Sequence, residues 1–303
     1  VGDVLTSRVV DAEWLRTRLS APGIIVIEVT NTPGAESDQS AIAGARTVYW
    51  KDLLWHHSRR EFPAAPVLVD RLHALGADAE STVIFAGEPT QFAAYAIWVA
   101  AAVGVGGDLR YLDGGLPAWR AAEAANGTAS SAAAAAPIER AADAAEPTGD
   151  AQASESPEPL PRVAPRYDEI VVGRDEVRAA LGSSVAILDL RSPQEYSGVR
   201  VSPLTEPIDH GAERAGRIPG ARSLPAQDLL DEHGLLRPVS ELRERVAELG
   251  IDGAEQIIAY CRLSHRAALG WLVFTDLLDD HRVRVYDGSW TEWGSLVGAP
   301  IED

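Results

Sequence analysis

Cysteine occurs once in the 303 residues, at Cys261, and its neighbours are those a reactive thiol needs. The run Ile257-Ile258-Ala259-Tyr260 before it reads as a short buried strand. Arg262-Leu263-Ser264-His265-Arg266 after it reads as a tight polar turn, and Ala267 to Phe274 has helical apolar spacing. A thiol at a strand-to-helix turn meets the free N–H groups and the positive dipole end that open the helix, and both favour the thiolate. Arg262 and Arg266 bracket it, and neighbouring cations act in the same direction. Most lone cysteines are small buried hydrophobes; it is the position at a helix start that favours a nucleophile here.

Composition narrows the partners. The net charge is −18, which argues against nucleic acid or an anionic membrane as the main partner, since both need a basic face. Residues 1–123 carry −5, residues 124–162 carry −4 and residues 163–303 carry −9. An anionic substrate would therefore need a local cationic island, and the arginines around Cys261 could form it. The sequence contains no apolar run long enough for a transmembrane helix. One cysteine makes no internal disulfide, and Val1-Gly2-Asp3-Val4 lacks a basic-then-apolar leader pattern. Together these lead to the expectation of a cytoplasmic protein.

The elements that must position the turn recur along the chain. Residues 24–29, 82–86 and 109–112 read as strands, with an apolar helix from about Gln91 to Val103. Strands alternating with helices suggest a parallel sheet covered on both faces. From Ala124 to Arg162 the periodicity stops in an Ala-, Pro- and Glu-rich stretch that reads as a flexible tether. The first pattern then returns. Val185 to Leu190 repeats the strand at 24–29, and Tyr286-Asp287-Gly288 to Trp293 repeats Leu112-Asp113-Gly114 to Trp119 at an offset of 174. Ile257 to Cys261 aligns with Thr82 to Ala86 at an offset of 175, which sets Ala86 opposite Cys261. The chain reads as a tandem duplication in which one half kept the nucleophile.

Four motifs carry a family resemblance: Asp189-Leu190-Arg191-Ser192-Pro193-Gln194-Glu195-Tyr196, Gly216-Arg217-Ile218-Pro219-Gly220-Ala221, Tyr260-Cys261-Arg262, and Tyr286 to Gly294. Their order, with an inactive copy upstream, resembles the tandem rhodanese family of thiosulfate and 3-mercaptopyruvate sulfurtransferases. The resemblance implies an α/β fold of two rhodanese-like domains, each a parallel sheet flanked by helices. They would be an inactive domain at 1–123 and a catalytic domain at 163–303, joined by the low-complexity linker at 124–162. It implies that Cys261 takes the outer sulfur of an anionic donor as a persulfide and passes it to cyanide or a thiol. Arg262, Leu263, Ser264, His265 and Arg266 would supply the amides that cradle the sulfur, and Arg191 would hold the donor's anionic end. No cofactor or metal is expected, and with no second cysteine the persulfide must go to an outside acceptor. Ser264 stands where many members have glycine, Ala267 where related loops carry a hydroxyl, and Leu263 where some thiosulfate users have lysine. Arg262 after the cysteine favours thiosulfate over mercaptopyruvate.

The remaining candidates have plainer readings. Arg266 either holds substrate or pairs with a carboxylate. His265 could tune the thiolate, or point to solvent or toward the other domain. Asp189 reads as a strand-end carboxylate bonded to amides or arginine, Glu195 as a partner of Arg191 or a helix cap, and Trp290 and Trp293 as core and pocket wall. His56-His57 lack a ligand set for a metal. A cysteine phosphatase or arsenate reductase needs arginine six positions after the cysteine, where this chain has Ala267; Arg266 comes one position early. A non-enzymatic persulfide carrier stays open.

Overall fold

The computed structural model describes residues 8–34, 40–127, 157–204, 206 and 208–303. The first half contains β1 (Val9–Val10), α1 (Ala12–Arg16), β2 (Ile24–Thr30), β3 (Arg46–Tyr49), α2 (Trp50–Leu54), α3 (Ala65–Ala74), β4 (Thr82–Glu88), α4 (Gln91–Val103), β5 (Asp108–Leu112) and α5 (Gly115–Ala125). The second contains α6 (Tyr167–Ile170), β6 (Val171–Val172), α7 (Arg174–Ala180), β7 (Ala186–Asp189), α8 (Pro193–Tyr196), β8 (Arg222–Ser223), α9 (Val239–Glu248), β9 (Ile257–Tyr260), α10 (His265–Leu272), β10 (Val283–Tyr286) and α11 (Ser289–Trp293). The sheets have the same strand order, β1-β5-β4-β2-β3 and β6-β10-β9-β7-β8, and every strand pair in them is parallel. The central strands β4 and β9 are covered on both faces, which is why they read as apolar runs without alternation.

The two halves meet through α4 and α10. Helix α4 is buried nearly all round because one side lies on its own sheet and the other on the second half. Its Ala93, Ala94, Ala96 and Ala100 share a hydrophobic cluster with Ala267 and Ala268 of α10, and these small side chains let the helices approach.

The sheet register corrects the repeat alignment at one place. Phe85 lies opposite Tyr111, and Ala259 lies opposite Val285. Both pairs keep the offset of 174, so Gly87 rather than Ala86 occupies the position of Cys261. Parallel pairing, not similarity of side chains, sets that equivalence. The first half still has no nucleophile there.

Much of the stretch read as a tether, 128–156, lies outside the described residues. Its two ends belong to the fold. Ala124 and Ala125 close α5. Beyond 156, Leu160 is buried, the Pro161 carbonyl accepts the Gly106 N–H at 2.8 Å, and Arg162 bridges Val105. The buried side chain of Leu160 anchors this end against the first half, where Gly107 leaves room for it. Among the described residues no helix is long and apolar enough to cross a membrane.

Candidate active site

Strand β9 delivers Cys261 to the boundary between the halves, where it is 1% exposed. Its N–H donates to Ser289 Oγ at 3.2 Å, and its carbonyl accepts the Trp290 N–H at 2.9 Å. Ser289 holds a left-handed φ of 52°, and its hydroxyl donates to the Tyr286 carbonyl at 2.8 Å. The Arg262 carbonyl accepts from Thr291 N at 3.2 Å and from Thr291 Oγ1 at 2.8 Å. The start of α11 thus clamps the carbonyl side of the loop. Among the described residues, no acceptor takes the N–H groups of Arg262 through Arg266. Those of His265 and Arg266 are orphan donors of a helix start and those of Arg262 to Ser264 belong to the turn before it, all available to an anionic or sulfur ligand.

The side chains of the loop diverge. Arg262 turns to the segment before Gly211, with Nη2 donating to His210 Nδ1 at 2.6 Å and Nη1 lying 3.7 Å from Glu206 Oε1. A side chain at Gly211 would strike that guanidinium, since an added Cβ would lie 2.6 Å from Nε. Leu263 is half-buried and borders a cavity of about 800 Å³ together with Trp55, Arg60, Tyr167 and Asp287. Ser264 is buried at φ 71°, with its hydroxyl on Asp287. His265 points into the first half, its ring centroid 4.4 Å from Trp50, 4.5 Å from Phe92 and 4.6 Å from Tyr95. Burial, reinforced by Arg60, Arg266, Arg262 and Lys51, holds its pKa well below the ordinary histidine value, so it stays neutral near pH 7. Of the two directions open to it in sequence, the structure takes the one toward the other domain.

Arg266 pairs with a carboxylate: it forms a fork to Glu195 at 2.7 and 2.8 Å. Burial would raise the Glu195 pKa, but the bonds and charge of Arg266, with the Ser192 N–H and hydroxyl, outweigh it and hold the carboxyl below its usual value. Burial likewise opposes the charge on Arg266, yet its bonds to Glu195, then the field of Cys261, keep its pKa above the ordinary value. Glu195 also caps α8 through Ser192, so it serves Arg266 and the helix start and forms no bond to Arg191.

Arg191, expected to hold the donor's anionic end, lies inside the second half. It is 0% exposed. Its guanidinium donates to Asp189 at 2.6, 3.0 and 3.1 Å and to the Gly216 carbonyl at 2.8 Å, and it stacks 4.3 Å from Trp290. A guanidinium so enclosed ties the Asp189 strand end to the Gly216 turn, and its buried Nη1 has no hydrogen-bond partner among the described residues. Asp189 is the strand-end carboxylate expected, taking the Arg191 N–H at 2.9 Å and the Tyr260 hydroxyl. Trp290 and Trp293 are fully buried in the core.

Several residues that shape the site carried no role in the sequence reading: Asp287, Ser289 and Thr291 of the second half, and Trp50, Arg60, Phe92 and Tyr95 of the first. The motif from Tyr286 to Gly294 signalled the first three. Nothing local marked Arg60, which meets Asp287 across 227 positions.

The rhodanese-like domain family matches residues 11–122 and 173–296. With the matching sheet orders and the cysteine loop between β9 and α10, this places the chain in the rhodanese family, as a tandem of two such domains. Over 301 residues, 99% of this chain and 98% of the relative, it is 35% identical to a Mycolicibacterium smegmatis protein named "Putative thiosulfate sulfurtransferase". It is 31% identical to "Sulfur carrier protein TtuD" of Thermus thermophilus, over 96% of this chain and 95% of that one. Among solved structures, the anaerobic ergothioneine biosynthesis enzyme from Chlorobium limicola superposes with a TM-score of 0.69 at 23% identity, over 97% of this chain and 70% of that one. The protein YnjE superposes with a TM-score of 0.69 at 21% identity, over 97% and 68%. At these identities the two structures speak for the fold.

Proposed function

We propose that this sulfurtransferase-family protein moves the outer sulfur of thiosulfate to cyanide or a thiol through a persulfide on Cys261. The observation that carries the reading is the chain's one cysteine, placed at the β9–α10 turn ahead of five backbone N–H groups that no acceptor takes among the described residues. In the first step the Cys261 thiolate attacks the outer sulfur of thiosulfate. The S–S bond of the donor breaks, sulfite leaves with the electron pair, and the sulfur stays on Cys261 as a persulfide. In the second step the acceptor attacks that outer sulfur and the Cys261 thiolate departs, so no net oxidant or reductant is consumed. Amide donors suit both steps, because each gathers negative charge on sulfur beside them. The names of the full-length relatives at 35% identity support thiosulfate as donor.

The test is thiocyanate formation from thiosulfate and cyanide, with intact mass measured after thiosulfate alone. The wild type should gain one sulfur and turn over; Cys261→Ser should do neither. A wild type that gains no sulfur overturns the reading. The relative named as a sulfur carrier supports a second outcome, in which the chain loads sulfur stably and releases it only to a partner protein. Loading without turnover on cyanide would select it.

A further inference from the structure

Asp287, the residue after β10, is gripped from both halves of the molecule. From its own half, Ser264 Oγ lies 2.7 Å from Asp287 Oδ1 and 2.7 Å from its main-chain oxygen. From the other half, Arg60 donates to Oδ2 at 2.7 Å, to the main-chain oxygen at 3.0 Å and to Oδ1 at 3.2 Å. The Arg60 guanidinium is itself seated 4.3 Å from the centre of the Trp55 ring. The carboxylate therefore links a side chain of the half without a nucleophile to the third residue after Cys261.

Ser264 is where this link meets the loop geometry. It is the residue before α10 and holds φ 71°, a conformation glycine adopts freely and other residues adopt at a cost. The serine hydroxyl brings what glycine lacks, an anchor to Asp287. A left-handed residue here turns the chain from β9 into α10, so it determines where the unclaimed N–H groups beside Cys261 stand. Without Arg60 the Asp287 carboxylate would lose its counter-charge, and the Ser264 anchor would rest on an uncompensated anion next to the sulfur site.

We propose that Arg60 is a positioning residue for the Cys261 loop, acting through Asp287 and the Ser264 hydroxyl to hold the turn that sets the amide ring. This deepens the sulfurtransferase reading and rests on it for its purpose. The half that lost its nucleophile would then still shape the chemistry of the half that kept one. The other charged and titratable groups facing the loop include Arg262, His265 and Arg266 on the loop itself, Lys51 and Tyr95 from the first half, and Glu195, Asp189, His210 and Glu206 from the second, with Glu292 near Arg60.

Because Cys261 is the chain's single cysteine, alkylation by iodoacetamide reports on it alone and needs no sulfur donor. The experiment compares full-length wild type, Arg60→Ala, Arg60→Lys, Ser264→Gly and the Arg60→Ala/Ser264→Gly pair. It follows the pH profile of alkylation and single-turnover sulfur loading from thiosulfate by intact mass. Arg60→Ala should slow loading about tenfold, the scale of coupling between residues in contact, and move the alkylation profile to higher pH. Ser264→Gly should slow loading comparably, the double variant should be no slower than the slower single one, and Arg60→Lys should recover part of the loss. If Arg60→Ala fails to fold, Arg60→Gln, which keeps the packing on Trp55, takes its place. Additive losses, or an alkylation profile that coincides with the wild type, would overturn the proposal and leave Arg60 as a tie between domains. A wild type that takes up no sulfur fails the functional reading, while the alkylation profiles still decide the role of Arg60.

Discussion

The two halves share a sheet order and a turn after the last strand of the sheet, yet they use that turn differently. In the first half, Asp113 reaches into the second half and accepts the Leu236 N–H at 2.9 Å. In the second half, the matching Asp287 reaches back and takes Arg60 and Ser264. Two positions later, Gly115 stands where Ser289 does, and both hold a left-handed φ, 55° and 52°. Ser289 uses its side chain to take the Cys261 N–H, whereas a side chain on Gly115 would collide with the Gly87 carbonyl, an added Cβ lying 2.1 Å away. Phe92 occupies the place of Arg266 and joins the aromatic cage around His265. One frame thus yields a half that holds the cysteine and a half whose side chains meet the loop after it. The comparison teaches that the half without the cysteine is not idle: its Trp50, Phe92 and Tyr95 surround His265 and its Arg60 holds Asp287.

The largest expected effect comes from the ion pair that replaces Phe92 in the cysteine-bearing half. Glu195→Ala would leave Arg266 as a mostly buried cation without a partner, at a cost of about 3–5 kcal/mol read as a lower urea midpoint. Adding Arg266→Phe, the residue of the first half, should recover most of that stability. Failure to recover would mean that the two helix starts are not interchangeable environments. Next is transplantation of the nucleophile. Gly87→Cys in a Cys261→Ser background should take up no sulfur from thiosulfate in an intact-mass assay. A Cβ at Gly87 would lie 2.9 Å from the Pro89 carbonyl and 3.3 Å from the Ala93 N–H, so a stability loss of about 1–3 kcal/mol from overpacking should accompany it. A loaded persulfide there would show that the first half kept a working cradle.

The last effect is confined to a pH window and concerns the first-half turn carboxylate. Burial pushes the Asp113 pKa up from 3.8 to about 6, against the lowering effect of the Leu236 and Gly114 N–H groups. A folded-state pKa above the unfolded one means that the native state binds the extra proton. Its stabilising contribution is therefore complete below pH 3.8 and is lost as the pH rises through about 6. Asp113→Asn should remove that slope, so that the variant-minus-wild-type melting temperature climbs between pH 4 and about 6 and then levels. A difference that stays flat would show that Asp113 is better solvated than its place at the domain boundary indicates.

Sequence by itself determined whatever is encoded within a few neighbouring residues. The apolar runs of β2, β4, β7 and β9, the span Gln91–Val103 of α4, and the repetition of one pattern on both sides of residues 128–156 are all local signals. So is the placement of Cys261 between a buried strand and a helix start, which is the core of the functional reading. Tertiary structure decided what depends on which surfaces face each other. It turned Arg191 inward onto Asp189 and Trp290, because a guanidinium flanked by buried elements finds its acceptors there, and it turned His265 into the aromatic side chains of the first half. It moved the counterpart of Cys261 from Ala86 to Gly87, since register belongs to a pair of strands and not to either one. It also brought Arg60 to Asp287 over 227 positions, an encounter that no local pattern of residues could announce.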